Sequence, residues 1–565
     1  MRRLNTLFVL FAVVLMAGCT DLSEEMHSSV GADNFLQGEE NLQQTLATTY
    51  SYAHTSTLIS WFFPQELTAD QLLTPTRGIH GYNGGEYLRL NQHTWTNLDR
   101  GGAMAWDQNY SVVGFANAFI DDVQELDYSE FGMSEQDKAR HIAEARVLRA
   151  IAYWRLLDIY GGVPIVTNVN AEPKGRDTDQ DVFNFIETEL NQSLDDLPTK
   201  TGNGNPEHVN RMTKGANRFA LMRLYFNSEA YIGTSMFDET KQLAQDLING
   251  VYGNYELDNR WNGPFDAHNI ESPENVFAFP IEKGQRDEKG WWFGGFHHYQ
   301  SHLTFGSSHG GAGWNGWGMM PSITATGDTL EYDLGTPFVG YHEKDVRKQP
   351  WDYTGNGEWE GMFLYGPQMT YDGSEEVLGV EEYNGEPLVL VDYVARTSEG
   401  ETESMNMLNG EENTGVRPVK VTPPYPDEAE QYQAQADQPE MRIAEAYFTL
   451  AEVLLREGNK PQAAFYINEV IERNYEAADW NDPTLGLQVQ ASDLDDDGYR
   501  MLEEWAKEFL MEGRRRIDLI RWNKYTTDVW FDHNEPSEEY RRRMPIPYDA
   551  MNANPLLDQN LGYEE

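Results

Sequence analysis

The sequence predicts a mostly α-helical protein: a scaffold of helical hairpins, interrupted by long irregular loops and a little β structure. Three observations carry this. Apolar residues recur at helical spacing in runs that come in neighbouring pairs. Capping residues and helix stops stand at the ends of those runs. Between two such clusters, residues 251–436 turn to Gly, Pro, Trp and Tyr with only short β-like stretches.

The chain opens with Arg2 and Arg3 ahead of "LFVLFAVVLMAG", an apolar run too short to span a bilayer and typical of an export signal. Cys19 follows it and is the only cysteine of 565 residues, so it cannot form an internal disulfide or build a zinc site. Small Ala17 and Gly18 before Cys19 resemble a bacterial lipobox, with Met16 where Leu is commoner. The resemblance implies cleavage after residue 18 and acylation of Cys19. Acyl chains contribute about 0.8 kcal/mol per buried methylene, so they anchor the protein without embedding it. Residues 1–18 are therefore read as a lipoprotein signal peptide, 19–40 as a short acidic tether, and 41–565 as one domain.

Within that domain the helical signals are placed at 105–126, at 134–162 with Ser134 as cap and Gly161–Gly162 as stop, at 181–198, at 213–233 and at 238–250. A second cluster begins at "PEMRIAEAYFTLAEVLLREGNKPQAAFYINEVIERN", 439–474. There Gly458 ends one helix and Pro461 sits in the first turn of the next, which predicts a tight hairpin. Ile443, Ala444, Tyr447, Leu450, Ala451 and Leu454 share one face. This small-then-large spacing resembles a tetratricopeptide hairpin, although no uninterrupted 34-residue repeat is present. The scaffold is thus assigned to 41–250 and 437–530, with a C-terminal segment at 531–565. Residues 251–436 form an insertion too aromatic for disorder, with β-like "NVFAFPIE" and "EPLVLVDYVA".

Taken together, "RVLRAIAYWRLLDIYGGVPIV", "AEAYFTLAEVLLREG", "EFLMEGRRRIDLIRWNKY" and "MPIPYDAMNANPLLDQNLGY" resemble the SusD/RagB-type nutrient-binding outer-membrane lipoproteins. The likeness runs from the lipobox to the C-terminus. One departure is Trp505, where the family usually has Arg after the residue matching Glu504. The resemblance implies a tetratricopeptide-like scaffold whose loops bind ligand. It also implies a SusC-like TonB-dependent transporter as partner, and a place on the outer membrane facing outward. The shared motifs read from the residues as scaffold: acids and guanidinium groups of "EGRRRIDLIRW" can satisfy one another.

Composition narrows the ligand. The formal charge is −50, and −52 once residues 1–18, with two arginines and no acid, are removed. Such a surface repels nucleic acid and anionic polymers, which favours a neutral oligo- or polysaccharide. Sugar rings pack on flat aromatic faces while their hydroxyls need polar partners at the rim. The stretch 291–320, "WWFGGFHHYQSHLTFGSSHGGAGWNGWGMM", supplies Trp291, Trp292, Tyr299, Trp314 and Trp317 as stacking candidates, with His297, His298 and Asn315 as hydrogen-bonding ones. A second segment, 61–95, adds Trp61, Arg77, Tyr82 and Trp95. Some of these rings are expected to fill space beneath loops.

No catalytic residue is assigned. "GSSHG" at 306–310 matches a nucleophile elbow around Ser308, but "GGAGWNG" after it does not supply the required helix. With 92 acids, paired carboxylates carry no information about glycoside hydrolysis. A surface glycan hydrolase and a peptide-binding relative of the RagB kind remain as alternatives. No cofactor is expected, apart from a tentative calcium loop in "DLDDDGYRMLEE". Asp493, Asp495, Asp497, Tyr499 and Glu504 have its spacing; the rival reading is an acidic helix N-terminus.

Overall fold

The computed structural model describes residues 38–57, 59–281, 295–306, 313–355, 358–398, 400, 404–421 and 436–564. Its first helix, α1 (Glu39–Thr57), is one that the sequence did not single out. Its i, i+3/i+4 stripe of Leu42, Leu46, Tyr50 and Ala53 is buried, but so are Thr49, His54 and Ser56. These polar groups blur the apolar pattern and are satisfied at long range. Tyr50 Oη donates to Glu144 (2.6 Å), and His54 Nε2 meets Gln438 Oε1 (2.7 Å). A short helix, α2 (Ile59–Glu66), then buries Trp61, Phe62 and Phe63.

The next elements follow the expected hairpins. Helix α3 (Arg100–Gln124) packs on α4 (Glu135–Tyr160), which packs in turn on α5 (Asp179–Ser193). Ser134 caps α4 in a reciprocal box: its Oγ accepts from Asp137 N (3.2 Å) while Asp137 Oδ2 accepts from Ser134 N (2.8 Å). Gly161 stops the helix at φ 78°, and a Cβ on Gly162 would lie 2.1 Å from Asp177 O. The run expected at 213–233 breaks at Asn227 into α6 (Lys214–Phe226) and the short Ser228–Ile232 helix. Helix α7 (Phe237–Ile248) packs on both α6 and α8 (Ile443–Arg456), so the two clusters form one scaffold across the insertion. Helix α9 (Lys460–Ile471) closes the hairpin. Asn459 N donates back to Leu454 O (2.8 Å) around Gly458 at φ 82°.

Among the described residues the β structure is five two-stranded ladders. The most consequential pairs Asn275–Phe279 with Gln438–Arg442, antiparallel, and so ties together the two ends of the insertion. "EPLVLVDYVA" contributes only the two-residue strand Val389–Leu390. One core cluster runs through scaffold and insertion alike, with a smaller one around Phe305, Val377 and Leu388.

A buried ionic network clamps insertion to scaffold. Glu508, at the end of α10 (Tyr499–Glu508), accepts from Arg442 (2.8 Å), Arg473 (2.7 Å) and Arg347 (3.2 Å). Arg442 also reaches Glu274 (2.7 Å) and Glu512 (2.8 Å), and Lys420 reaches Glu512 (2.5 Å). Trp505, the departure from the family pattern, is buried. Its indole N–H is donated to Glu452 Oε2 (2.8 Å), beneath the Arg514 guanidinium at 3.8 Å. No helix among the described residues is long and apolar enough to cross a membrane.

Candidate functional site

Several loop segments of the insertion and the early chain meet around Arg77. Its Nε–H donates to Glu411 O (3.1 Å), Nη1 to Asn315 O (2.5 Å) and Gly316 O (2.7 Å), and Nη2 to Thr414 O (2.8 Å). One guanidinium thereby pins the 74–82 loop to the 313–318 and 411–417 segments. Arg417 supports the same point by donating to Asn315 Oδ1 (2.8 Å). Asn315 holds a left-handed backbone (φ 51°) and donates to Glu412 O (2.8 Å). Glu412 in turn gathers the 380–383 turn: it accepts from Val380 N (2.9 Å), Glu381 N (3.1 Å), Tyr383 N (2.7 Å) and His298 Nε2 (3.0 Å).

This frame is buried, and its electrostatics show the cost. Burial brings the Arg77 guanidinium down to about 10 and depresses Arg417 further, with Arg77 adding repulsion. Burial also brings His297 down to about 3. Burial pushes Glu412 the other way, but the bonds from His298 and the three backbone N–H groups hold its carboxyl below the usual range. Hydrogen bonds at every nitrogen of Arg77 and around the Glu412 carboxylate are what make the frame tolerable and rigid.

Exposed aromatic rings stand on the segments that the frame holds, at its rim. Trp314, next to the pinned Asn315, is 47% exposed, and Tyr82, five residues after Arg77, is 53% exposed. Tyr299 is half-buried, its ring 5.7 Å from that of His80, and burial pushes its phenol up to about 12. His80 Nε2 stands 3.4 Å from Glu381 Oε1 at the same rim. His80 lies in the 61–95 segment but is not among its expected binding residues. Glu381 had no signal, because only the fold brings residues 300 positions apart together.

Several sequence-based site assignments are corrected. Arg77 is 1% exposed and serves as the frame's centre, with every nitrogen used on backbone carbonyls. Asn315, His297 and His298 are buried as well; the ring of His297 lies edge-on to Phe305 at 4.9 Å. Trp317 packs among Phe62 (5.0 Å), Phe63 and Phe296 (5.2 Å), beneath the loops. Trp95 is 2% exposed and donates its indole N–H to Tyr563 Oη (2.8 Å). Trp61 is core under Arg155. Trp291, Trp292 and Ser308 lie outside the described residues, as does Cys19.

The five residues with calcium-loop spacing do not converge. Asp495 caps α10, accepting from Tyr499 N and Arg500 N (both 3.0 Å), and Asp493 accepts from Gln490 N (2.7 Å). Glu504 pairs with Arg500 (2.6 Å). Among the described residues no group of three or more His, Cys, Asp or Glu is placed to hold a metal. Chelator is therefore expected to leave the melting temperature unchanged. A fall restored by added calcium would refute the capping assignment.

Comparisons with known proteins agree with this architecture. The SusD family model matches residues 273–563, and a model described as "Starch-binding associating with outer membrane" matches 26–226. The starch-binding protein SusD of Bacteroides thetaiotaomicron is 26% identical over 466 residues, which cover 78% of this chain and 75% of that protein. SusD-like protein P25 of Formosa agariphila is 20% identical over 583 residues, covering 98% and 97%. Among solved structures, surface glycan-binding protein A of B. thetaiotaomicron, in complex with laminarihexaose, shares the fold with a TM-score of 0.65 at 15% identity, over 93% of this chain and 100% of that one. B. fragilis NanU does so at 0.67 and 18%, over 95% and 99%.

Proposed function

This chain belongs to the SusD family, and from that premise we propose that it is a non-enzymatic surface lipoprotein that binds a neutral oligo- or polysaccharide and delivers it to a SusC-like TonB-dependent transporter. The observation that carries the reading is the exposed pair Trp314 and Tyr82, held on loops that the buried Arg77 frame fixes. Rigid aromatic faces bind sugar rings with little entropy to lose, and the partly exposed His80 and Glu381 at the rim supply hydrogen-bonding groups. Capture followed by release calls for moderate affinity, about −8 to −4 kcal/mol, or micromolar to millimolar dissociation constants. Titration calorimetry with neutral glucan oligosaccharides, beside peptides of similar size and with reducing ends measured in parallel, tests this. Saturable glycan binding without new reducing ends is expected. Peptide binding alone, or sustained release of reducing ends, would sink it.

Acylated Cys19 is the anchor in this reading, and the protein faces outward from the outer membrane. Cys19→Ala is expected to leave a folded protein that no longer sediments with membranes from cells lacking the transporter. Quantitative retention of that variant would remove the lipid anchor from the account.

A further inference from the structure

Away from the glycan rim, a cavity of about 220 Å³ lies where the C-terminal ends of α6, α8 and the Arg515–Arg521 helix meet. Its wall carries Arg456, Arg521 and Arg542 with Phe226 and Phe237, and among the described residues the one acid lining it is Glu229. In a chain with 92 acids and 42 bases, three guanidinium groups around one small space stand out.

The acids that answer these arginines do not fill the cavity. Arg456 and Arg521 share one fully buried carboxylate, Glu452, which also accepts the Trp505 indole N–H. Arg521 draws further on Asp518, itself shared with Arg514. Arg456 donates to Arg521 O (2.9 Å), which answers the partial negative charge of one helix end. Arg542 pairs with Glu539, whose side chain is 72% exposed and so well screened. The Nε of Arg542 is buried and has no hydrogen-bond partner among the described residues. A buried unpaired N–H on a cation is costly, so Arg542, which also donates to Asn523 Oδ1, carries charge that its partners answer incompletely.

We propose that this cavity binds a small oxyanion, the phosphate or sulfate group of a free ion or of an ester. Guanidinium forks match tetrahedral oxyanions through paired N–H···O bonds, which chloride cannot reproduce. The space has room for the group and a short substituent. The chain's overall negative field does not oppose this at contact range, because salt screens it beyond about 10 Å.

Titration calorimetry at constant ionic strength tests the site, with sodium sulfate, sodium phosphate, glucose 6-sulfate and sodium chloride as probes. Sulfate or phosphate is expected to bind at least tenfold tighter than chloride. Arg542→Gln, and Ala230→Asp on the cavity wall, are each expected to weaken that binding at least tenfold. Melting curves in chloride report whether each variant is folded; should Arg542→Gln not fold, Ala230→Asp decides alone. Tighter binding of the ester identifies a carried group, and tighter binding of the ions a free one; both support the site. Oxyanion binding no tighter than chloride, or undiminished in the folded variants, overturns it. Neither variant touches the Trp314 rim, so this result is independent of the proposed glycan binding.

Discussion

Glu508→Ala is expected to destabilise the folded protein by about 3–5 kcal/mol, the scale for breaking a buried ion pair from one side. The carboxylate is 4% exposed and faces Arg442, Arg473 and Arg347 at once. Its removal leaves three buried guanidinium groups with fewer acids to answer them. Those arginines come from the insertion, from the strand that closes it and from the end of the α8–α9 hairpin, so the loss loosens the seating of the loops as well as the scaffold. Chemical denaturation monitored by tryptophan fluorescence reads the effect. Asp238→Ala, which removes a 93% exposed partner of Lys241, serves as the contrast and should shift stability by less than about 0.5 kcal/mol. Equal midpoints for Glu508→Ala and the parent protein would show that the network contributes nothing net.

The same network fixes the sign of the acid response. Burial opposes ionisation of Glu508, but the surrounding cations outweigh it and hold its carboxyl well below the usual range. Burial is likewise outweighed at Glu445 by Arg223 and Arg514, and at Glu452 by Arg521 and Arg456, each carboxyl being brought down to about 2. A depressed folded-state value means stability that is fully present above the unfolded value near 4.3 and lost as pH falls through the folded one. The protein should therefore hold its stability to about pH 4.5 and lose it steeply towards pH 2.

What the sequence made legible was local chemistry. The Ser134 capping box, the Gly161–Gly162 stop and the Gly458–Pro461 hairpin are decided by residues within a few positions of one another, and each is found where expected. The site was less legible, because burial of an aromatic among glycines depends on what covers it. Trp95 is covered by Tyr563, 468 positions away, and Arg77 is satisfied by carbonyls from 238 to 337 positions away. Helix α1 carries little apolar signal for a related reason: its buried face includes polar groups whose partners, Glu144 and Gln438, are remote in sequence. Exposure of Trp314 and burial of Trp317, three residues apart in a glycine-rich stretch, cannot be read from spacing at all.

That pair of tryptophans provides the sharpest separation of site from scaffold. Trp314→Ala is expected to cost about 2 kcal/mol or more of glycan affinity, roughly thirtyfold, while leaving the melting curve nearly unchanged. Its ring is 47% exposed, and its neighbour Asn315 is held by Arg77 and Arg417. Trp317→Ala should do the reverse in the first instance. Its ring is 4% exposed and wedged among Phe62, Phe63 and Phe296, so truncation opens a cavity that costs roughly 3–5 kcal/mol of stability. Any loss of binding in Trp317→Ala then follows from loosening of the 313–318 loop and should be recovered at low temperature, where the folded state is repopulated. Loss of binding in Trp314→Ala would persist there, because it removes a contact and leaves the fold intact. Full affinity in both Trp314→Ala and Tyr82→Ala would place the stacking platform elsewhere on the molecule, whereas a fall in melting temperature for Trp314→Ala matching that of Trp317→Ala would return Trp314 to the scaffold.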